Sequence, residues 1–500
     1  KLQRIQRSAS APAVVFQQAP MGAAREDVWH VIKTYWPLLL GNALEWYEFT
    51  LFSYLSPYFQ VNFFHRSAVA AWLGFAITFV ARPFGGVVLG LIGDVFGRKV
   101  AAFTSIFGML LSTVLQGCLP TYQSGPAAGF IGLCLLVVLR LIQGMFTGGE
   151  IATVSTYITE VGNPRSLASS LVMIPATANL GNLLSLLVTF TFEGALGDAA
   201  MTQWGWRLPF LLALLPGSLA IWGRGRLGET AMFLASEAEE LETGKAKRAM
   251  MKIWELVASY WPQVLIGLGA VAAPAINFYG GMTWSLVSLK KHGLPIDFRT
   301  AAGATTTCMV LLLAPVVGCV ADKHGAAWTQ FITGLALAAA GMPLLISIEE
   351  SVESPWLVVL FYGLGFGILQ AFLMVHTLQV VELFPAEVRA AGMGLSYNVG
   401  LCLFGGFAPM VFEAAESWAT WMPPLLLSLG GAVTASTTLV SLWLRSRGRI
   451  QPTHVRHEPY FYCCGEERFS NFQMQKSEEE IKTVEKKRSA VEGFQPVVDI

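Results

Sequence analysis

The chain has 500 residues, 54% of them hydrophobic and only 13% charged, with 33 basic residues balancing 33 acidic ones. A soluble globular chain carries roughly 25% charged residues, so this deficit excludes a soluble domain and indicates an integral, multi-span membrane protein. A formal net charge of zero excludes the basic surface that a nucleic-acid partner needs.

Residues 1–30 read as an N-terminal cytoplasmic tail; Lys1, Arg4, Arg7 and Arg25 occur there before any acid, and a remnant of a targeting peptide is the alternative. Twelve apolar runs then follow, near 34–60, 68–93, 100–119, 127–156, 166–192, 206–224, 259–288, 299–321, 328–347, 356–381, 390–412 and 422–444. Three of them are long enough to be tilted or broken. The first six form an N-terminal helix bundle over 31–224 and the last six a C-terminal bundle over 258–446. Between them lies a polar, amphipathic linker over 225–257, and after them a polar tail over 447–500. The predicted fold is an all-α membrane protein of twelve transmembrane helices.

Basic residues set the orientation. With both termini in the cytoplasm, Arg98, Lys99, Arg165, Arg224, Lys323 and Arg389 all fall on the inner side. Lys290, Lys291 and Arg299 are the exception, an outer cluster that the positive-inside rule does not explain. The five cysteines in or beside spans (Cys118, Cys134, Cys308, Cys319 and Cys402) read as small core residues. In the tail, His454, His457, Cys463 and Cys464 lack a metal-ligand spacing, and no metal is expected.

Ionisable groups within the spans are costly and mark function. Asn42, Glu45 and Glu48 recur every three residues along one face of the first span. Arg82 precedes Pro83 in the second, and Arg140 and Glu150 belong to the fourth. Two arginines against three carboxylates leave one acid without a cation if all five share a cavity, and such an acid takes up a proton. Arg82 is the candidate for holding an anionic substrate group, because a guanidinium receives a carboxylate in two-pronged fashion. Trp46, Tyr47 and Phe49 either cage a cationic ammonium or simply pack. Gly86/Gly90 and Gly144/Gly148 permit close helix crossings, and Pro175 with Gly181 predicts a kinked fifth span. No Gly-x-x-x-x-Gly-Lys, His-Glu-x-x-His or Gly-x-Ser-x-Gly motif occurs, so an enzyme is not expected.

The two halves repeat one another in parallel. Gly90-x-x-Gly93-Asp94-x-x-Gly97-Arg98-Lys99 has a degenerate copy at Gly318-Cys-Val-Ala-Asp322-Lys-His-Gly325, and Glu160 to Arg165 has one at Glu382 to Arg389. Parallel repeats are a known transporter plan, with the substrate held between the halves.

These motifs resemble the major facilitator superfamily. Arg140-Leu-Ile-Gln-Gly144 is similar to its fourth-span motif. Gly41-Asn42-x-x-Glu45-Trp-Tyr-Glu48-Phe49, Ala81-Arg82-Pro83, Gln143-Gly144-x-x-x-Gly148-Gly149-Glu150 and Trp204-Gly-Trp-Arg207 resemble, more narrowly, the metabolite:proton symporters. That family includes proline/betaine, α-ketoglutarate, shikimate and citrate carriers. The resemblance covers residues 35–445. It implies two six-helix bundles that rock around a central site and a secondary active transporter coupling a small organic solute to a proton, with no other cofactor. A proton-independent facilitator or a non-transporting nutrient sensor are the alternatives. It also implies a charge network of Asp94, Arg98, Lys99, Arg140 and Glu160, with Asp322, Glu382 and Arg389 as the weaker counterpart. The expected setting is a monomer in the plasma membrane, in contact with lipid and its solute. Three departures stand out: Glu48 where the family has Asp, no basic residue after Gly325, and no proline after Glu229-Thr230.

Overall fold

The computed structural model describes residues 24–96, 98–151, 154–155, 158, 167–225, 258–384 and 388–448. These all fall in one compact unit, and the second unit, His457–Ile500, lies outside them, as do Glu160, most of the linker and the tail residues singled out above.

The helices follow the apolar runs. We number the spans α1 (Ala24–Tyr54), α2 (Ala68–Phe96), α3 (Arg98–Gly117), α4 (Pro126–Thr147), α5 (Leu167–Gly205) and α6 (Arg207–Leu212 with Leu214–Gly225). The second set comprises α7 (Trp261–Lys291), α8 (Ile296–His324), α9 (Ala326–Glu350), α10 (Pro355–Glu382), α11 (Ala391–Trp418) and α12 (Met422–Ser446). Among the described residues, nine helices are long and apolar enough to cross a membrane on those grounds alone. The other three are α1, which carries buried acids, and the short α3 and α6. In a bilayer every backbone amide must be bonded within its own helix, so an apolar chain of this length has no alternative to a helical bundle.

Breaks in the helices have local causes. Pro175 has no N–H to give back to Leu171, and α5 is interrupted between Leu171 and Met173. Gly197 supplies a second bend at φ 75°. Wide π-turns interrupt α7 at Asn277–Trp284, α10 at Phe361–Phe366 and α11 at Cys402–Gly406, each rich in glycine. The first of these turns Phe278 and Tyr279 toward the middle of the molecule.

Glycines set the helix spacing. A methyl group on Gly144 would lie 2.0 Å from the Thr78 carbonyl oxygen, and one on Gly148 would lie 1.9 Å from that of Arg82, so α2 and α4 cross in backbone contact. Gly181 meets Ala43 in the same way, at 1.9 Å from its carbonyl. It is thus a contact between α5 and α1, and the bend expected near it sits at Val172 and Gly197 instead.

The cysteine expectation fails. Cys118, Cys134, Cys308 and Cys319 are exposed on the outer surface of the bundle, and Cys402 is half-buried. In a membrane the surface is as apolar as the core, so composition cannot tell the two apart.

Gly144→Val should force α2 and α4 apart and cost about 1–3 kcal/mol, read as a fall in thermal midpoint of the detergent-purified protein. Gly149→Ala, with 3.1 Å to the Leu89 Cβ, should cost far less.

Candidate functional site

The polar face of α1 is wholly buried: Asn42, Glu45 and Glu48 are each at most 1% exposed. Each faces a different neighbour. Asn42 donates to the Ile174 carbonyl at 2.8 Å and the Thr177 hydroxyl at 2.9 Å, both on α5. Glu45 forms an ion pair with Arg82 of α2 at 2.6 Å, and that guanidinium also lies over the Phe49 ring. Glu48 receives hydrogen bonds from the Thr113 hydroxyl at 2.6 Å and the Gln143 amide at 3.4 Å.

Gln143 is the hub of this layer. Its amide nitrogen also donates to Thr113 at 2.9 Å, and its oxygen receives Arg140 Nη1 at 3.0 Å and Gln116 at 3.2 Å. Arg140 itself meets no carboxylate among the described residues. Its guanidinium sits 4.1 Å from the Phe52 ring centroid, on an aromatic face. Glu150 pairs with Arg224 and accepts from Ser105 at 3.3 Å.

Arg224 is the residue that sequence reasoning missed. It was expected in an inner loop, yet it is 2% exposed at the end of α6. Its signal was present: a single arginine directly continuing an apolar run, Ile221-Trp-Gly-Arg224. Gly41 makes room for it, since a methyl group there would lie 1.9 Å from the guanidinium. The charge count thus becomes three arginines against three carboxylates. Two pairs close. Glu48 and Arg140 remain, joined through a neutral amide.

A cavity of about 40 Å³ lies between α1, α5, α7, α10 and α11. Asn42, Trp46, Asn179, Tyr279, His376 and Tyr397 are among its lining residues. Trp46 stacks on Tyr279 with centroids 6.1 Å apart. None of Glu45, Glu48, Glu150, Arg82 and Arg140 is in the wall; the charged layer stands behind the aromatic one. Tyr47 turns away and donates to the Pro209 carbonyl at 2.8 Å, tying α1 to α6. The cavity is large enough for water but far below the several hundred Å³ of an occupied solute site.

Toward each end, contacts bridge the two sets of helices. At the α7–α8 end, Arg299 pairs with Glu193 of α5 at 2.6 Å, and Lys290 pairs with Glu193 at 3.0 Å and Asp198 at 2.5 Å. Tyr58 donates to Asp198 at 2.9 Å. Lys291 bonds Glu413. Lys290 and Arg299 of the outer cluster therefore answer carboxylates across the gap, while Lys291 pairs within the second set of helices. At the opposite end Asp322 of α8 accepts the Ala168 and Ser169 amides at 3.0 and 3.1 Å, capping the first turn of α5. Asn398 of α11 donates to the Gly148 carbonyl at 2.7 Å. Glu382 lies 3.6 Å from Arg445, and Arg389 donates to the Phe384 carbonyl. The side chains of Asp94, Arg98 and Lys99, like the whole of Glu160, lie outside the described residues.

A family model described as sugar (and other) transporter matches residues 37–261. The α-ketoglutarate permease of Escherichia coli is 31% identical over 430 residues, covering 82% of this chain and 92% of the permease. The chain belongs to the major facilitator superfamily. A second relative, the ectoine/proline transporter ProP of Corynebacterium glutamicum, is 30% identical over 398 residues, 75% of this chain and 76% of ProP. The fold agrees: the proton:xylose symporter XylE of E. coli superimposes with a TM-score of 0.66 at 15% identity, covering 85% of this chain and 96% of XylE. This superfamily member is thus a multi-pass membrane transporter of two six-helix bundles, and not an enzyme.

Arg224→Gln should leave Glu150 buried without its cation and destabilise the protein by about 3–5 kcal/mol. Adding Glu150→Gln should recover most of that loss in the same thermal melt.

Proposed function

We propose that this transporter carries a small organic solute, a carboxylate or a zwitterion, together with a proton, by alternating access, and that Glu48 carries the proton. One observation bears the weight: Glu48 is the carboxylate of the three that is held by neutral donors, while Glu45 and Glu150 each face an arginine. A charged carboxylate with no cation beside it is the most expensive of the three to keep in a dry interior. Thr113 and Gln143 serve either form, because a hydroxyl can turn from donor to acceptor. Protonation weakens the hold of Glu48 on Gln143, which links α1, α3 and α4 to Arg140. That is the proposed route from proton to helix movement.

Arg82 is the proposed anchor for a solute carboxylate. Its Nε is buried without a partner, as is Glu45 Oε2, so the pair has capacity for a further ligand when the wall opens. The halves over 31–224 and 258–446 are proposed to rock about the cavity. The signature loops place the α8–α9 end in the cytoplasm with both termini, and the α7–α8 end outside, in a plasma-membrane monomer that uses the proton as its coupling ion.

The test is uptake of labelled proline, betaine, α-ketoglutarate, shikimate and citrate into proteoliposomes, with and without an inward proton gradient. One solute should be driven above equilibration. Glu48→Gln should lower gradient-driven accumulation at least ~10-fold while solute exchange persists. Accumulation at the wild-type level would remove Glu48 from the mechanism.

The α7–α8 closure yields a second expectation. Arg299→Gln removes about 1 kcal/mol from the closed state, roughly a fivefold gain in the open one. A cysteine at Ala178, with the surface cysteines replaced by serine, should then react about fivefold faster with an impermeant maleimide from that side.

A further inference from the structure

We propose that His376 is a specificity-determining residue of the central cavity. Together with Asn42 and Asn179 it presents hydrogen-bond acceptors to an ammonium group that still carries N–H. A compact amino- or imino-acid zwitterion is then preferred over a fully substituted ammonium. This rests on the transport reading above and goes beyond it.

The argument begins with the tautomer. His376 opens the last segment of α10, after the break at Met374 and Val375, and its Nδ1 lies 2.9 Å from the Leu373 carbonyl oxygen. A carbonyl only accepts, so Nδ1 carries the hydrogen, and in the neutral ring Nε2 is left as an acceptor. Because Nδ1 points back at its own helix, the edge bearing Nε2 faces away from that helix, toward the cavity that His376 lines. Tyr397 holds the ring flat, with centroids 6.0 Å apart and planes 14° from parallel.

The two asparagines are oriented by the same logic. Asn42 Nδ2 gives its hydrogens to the Ile174 carbonyl and to Thr177, and Asn179 Nδ2 donates to the Pro175 carbonyl at 2.8 Å. Neither amide can flip, because a backbone carbonyl has no hydrogen to return. Their Oδ1 atoms are therefore the acceptors left over, and both are buried without a partner in side chains at most 2% exposed. Three residues with an acceptor to spare thus line one cavity, whose wall among the described residues contains no Lys or Arg and no Asp or Glu. The faces of Trp46 and Tyr279 add favourable contact for a cation. An ammonium with N–H satisfies these oxygens and the imidazole nitrogen. A trimethylated one covers them and leaves them desolvated and unpaired, which is the costly outcome.

The probes are glycine, sarcosine, dimethylglycine and glycine betaine, a series that removes N–H groups one at a time at constant charge. Their binding to the full chain in nanodiscs is read by calorimetry. Affinity should fall along the series, with at least a roughly tenfold drop at betaine. His376→Phe keeps the ring stack and should lower the affinity of glycine relative to betaine about tenfold; His376→Gln, whose amide oxygen accepts, should restore most of the preference. Betaine binding as tightly as glycine in the wild type overturns the proposal, and so does a His376→Phe variant that weakens all four probes alike. Should that variant fail to fold, the wild-type series decides alone. If the series is silent while a proton gradient drives α-ketoglutarate uptake, this inference fails and the transport reading stands; if both are silent, both fail.

Discussion

A charge in hydrocarbon must find a partner, and the first half of this transporter is arranged around meeting that demand. Arg82 and Arg224 each close on a glutamate, and Arg140 rests on the face of Phe52 with Gln143 as its polar contact. The packing follows from these placements. Gly41 is bare because Arg224 occupies the space its side chain would fill. Gly148 is bare because the backbone of Arg82 passes against it. Helices α1, α2, α3, α4 and α6 are thus held together by polar groups that tolerate little displacement, and glycines let the backbones come close enough for those groups to meet.

The same demand makes the assembly able to change state. A pair between two charges holds each partner in its charged form, whereas an acid held by neutral donors leaves no cation unpaired when it is neutral. Glu48 is in the second situation. Its side chain is one methylene, about 1.5 Å, longer than an aspartate and reaches the Thr113 hydroxyl on α3.

The contacts that bridge the two sets of helices differ in kind between the two ends. The α7–α8 end uses ion pairs: Lys290–Asp198 is partly open to solvent, 23% and 67% exposed, and so weak and screened by salt, while Arg299–Glu193 is buried. The opposite end uses a carboxylate on the backbone amides of Ala168 and Ser169 and an asparagine on a backbone carbonyl. Lys290 and Arg299 are accounted for in this way: they pair with carboxylates of the first set of helices.

Composition and periodicity alone determined the class, the twelve spans and the polar face of α1, because hydrocarbon permits little besides apolar helices and punishes every stray charge. The family motifs were legible as well, since glycine crossings and turn charges have fixed spacings. What the sequence left open was partnership. Whether Glu45, Glu48 and Glu150 share one cavity depends on which helices cross α1, and the fold gives each a different neighbour and places none in the wall. Arg224 belonged to a loop by position and to the core by packing. The exposed cysteines looked like core because lipid and core are equally apolar. His376, a lone histidine in an apolar run, acquired its meaning from Leu373 and Tyr397, which fix its tautomer and its plane. Hydrophobicity acts on each segment by itself, so one strand of sequence suffices to read it. Charge pairing and hydrogen-bond direction act between segments, and only the tertiary structure decides them.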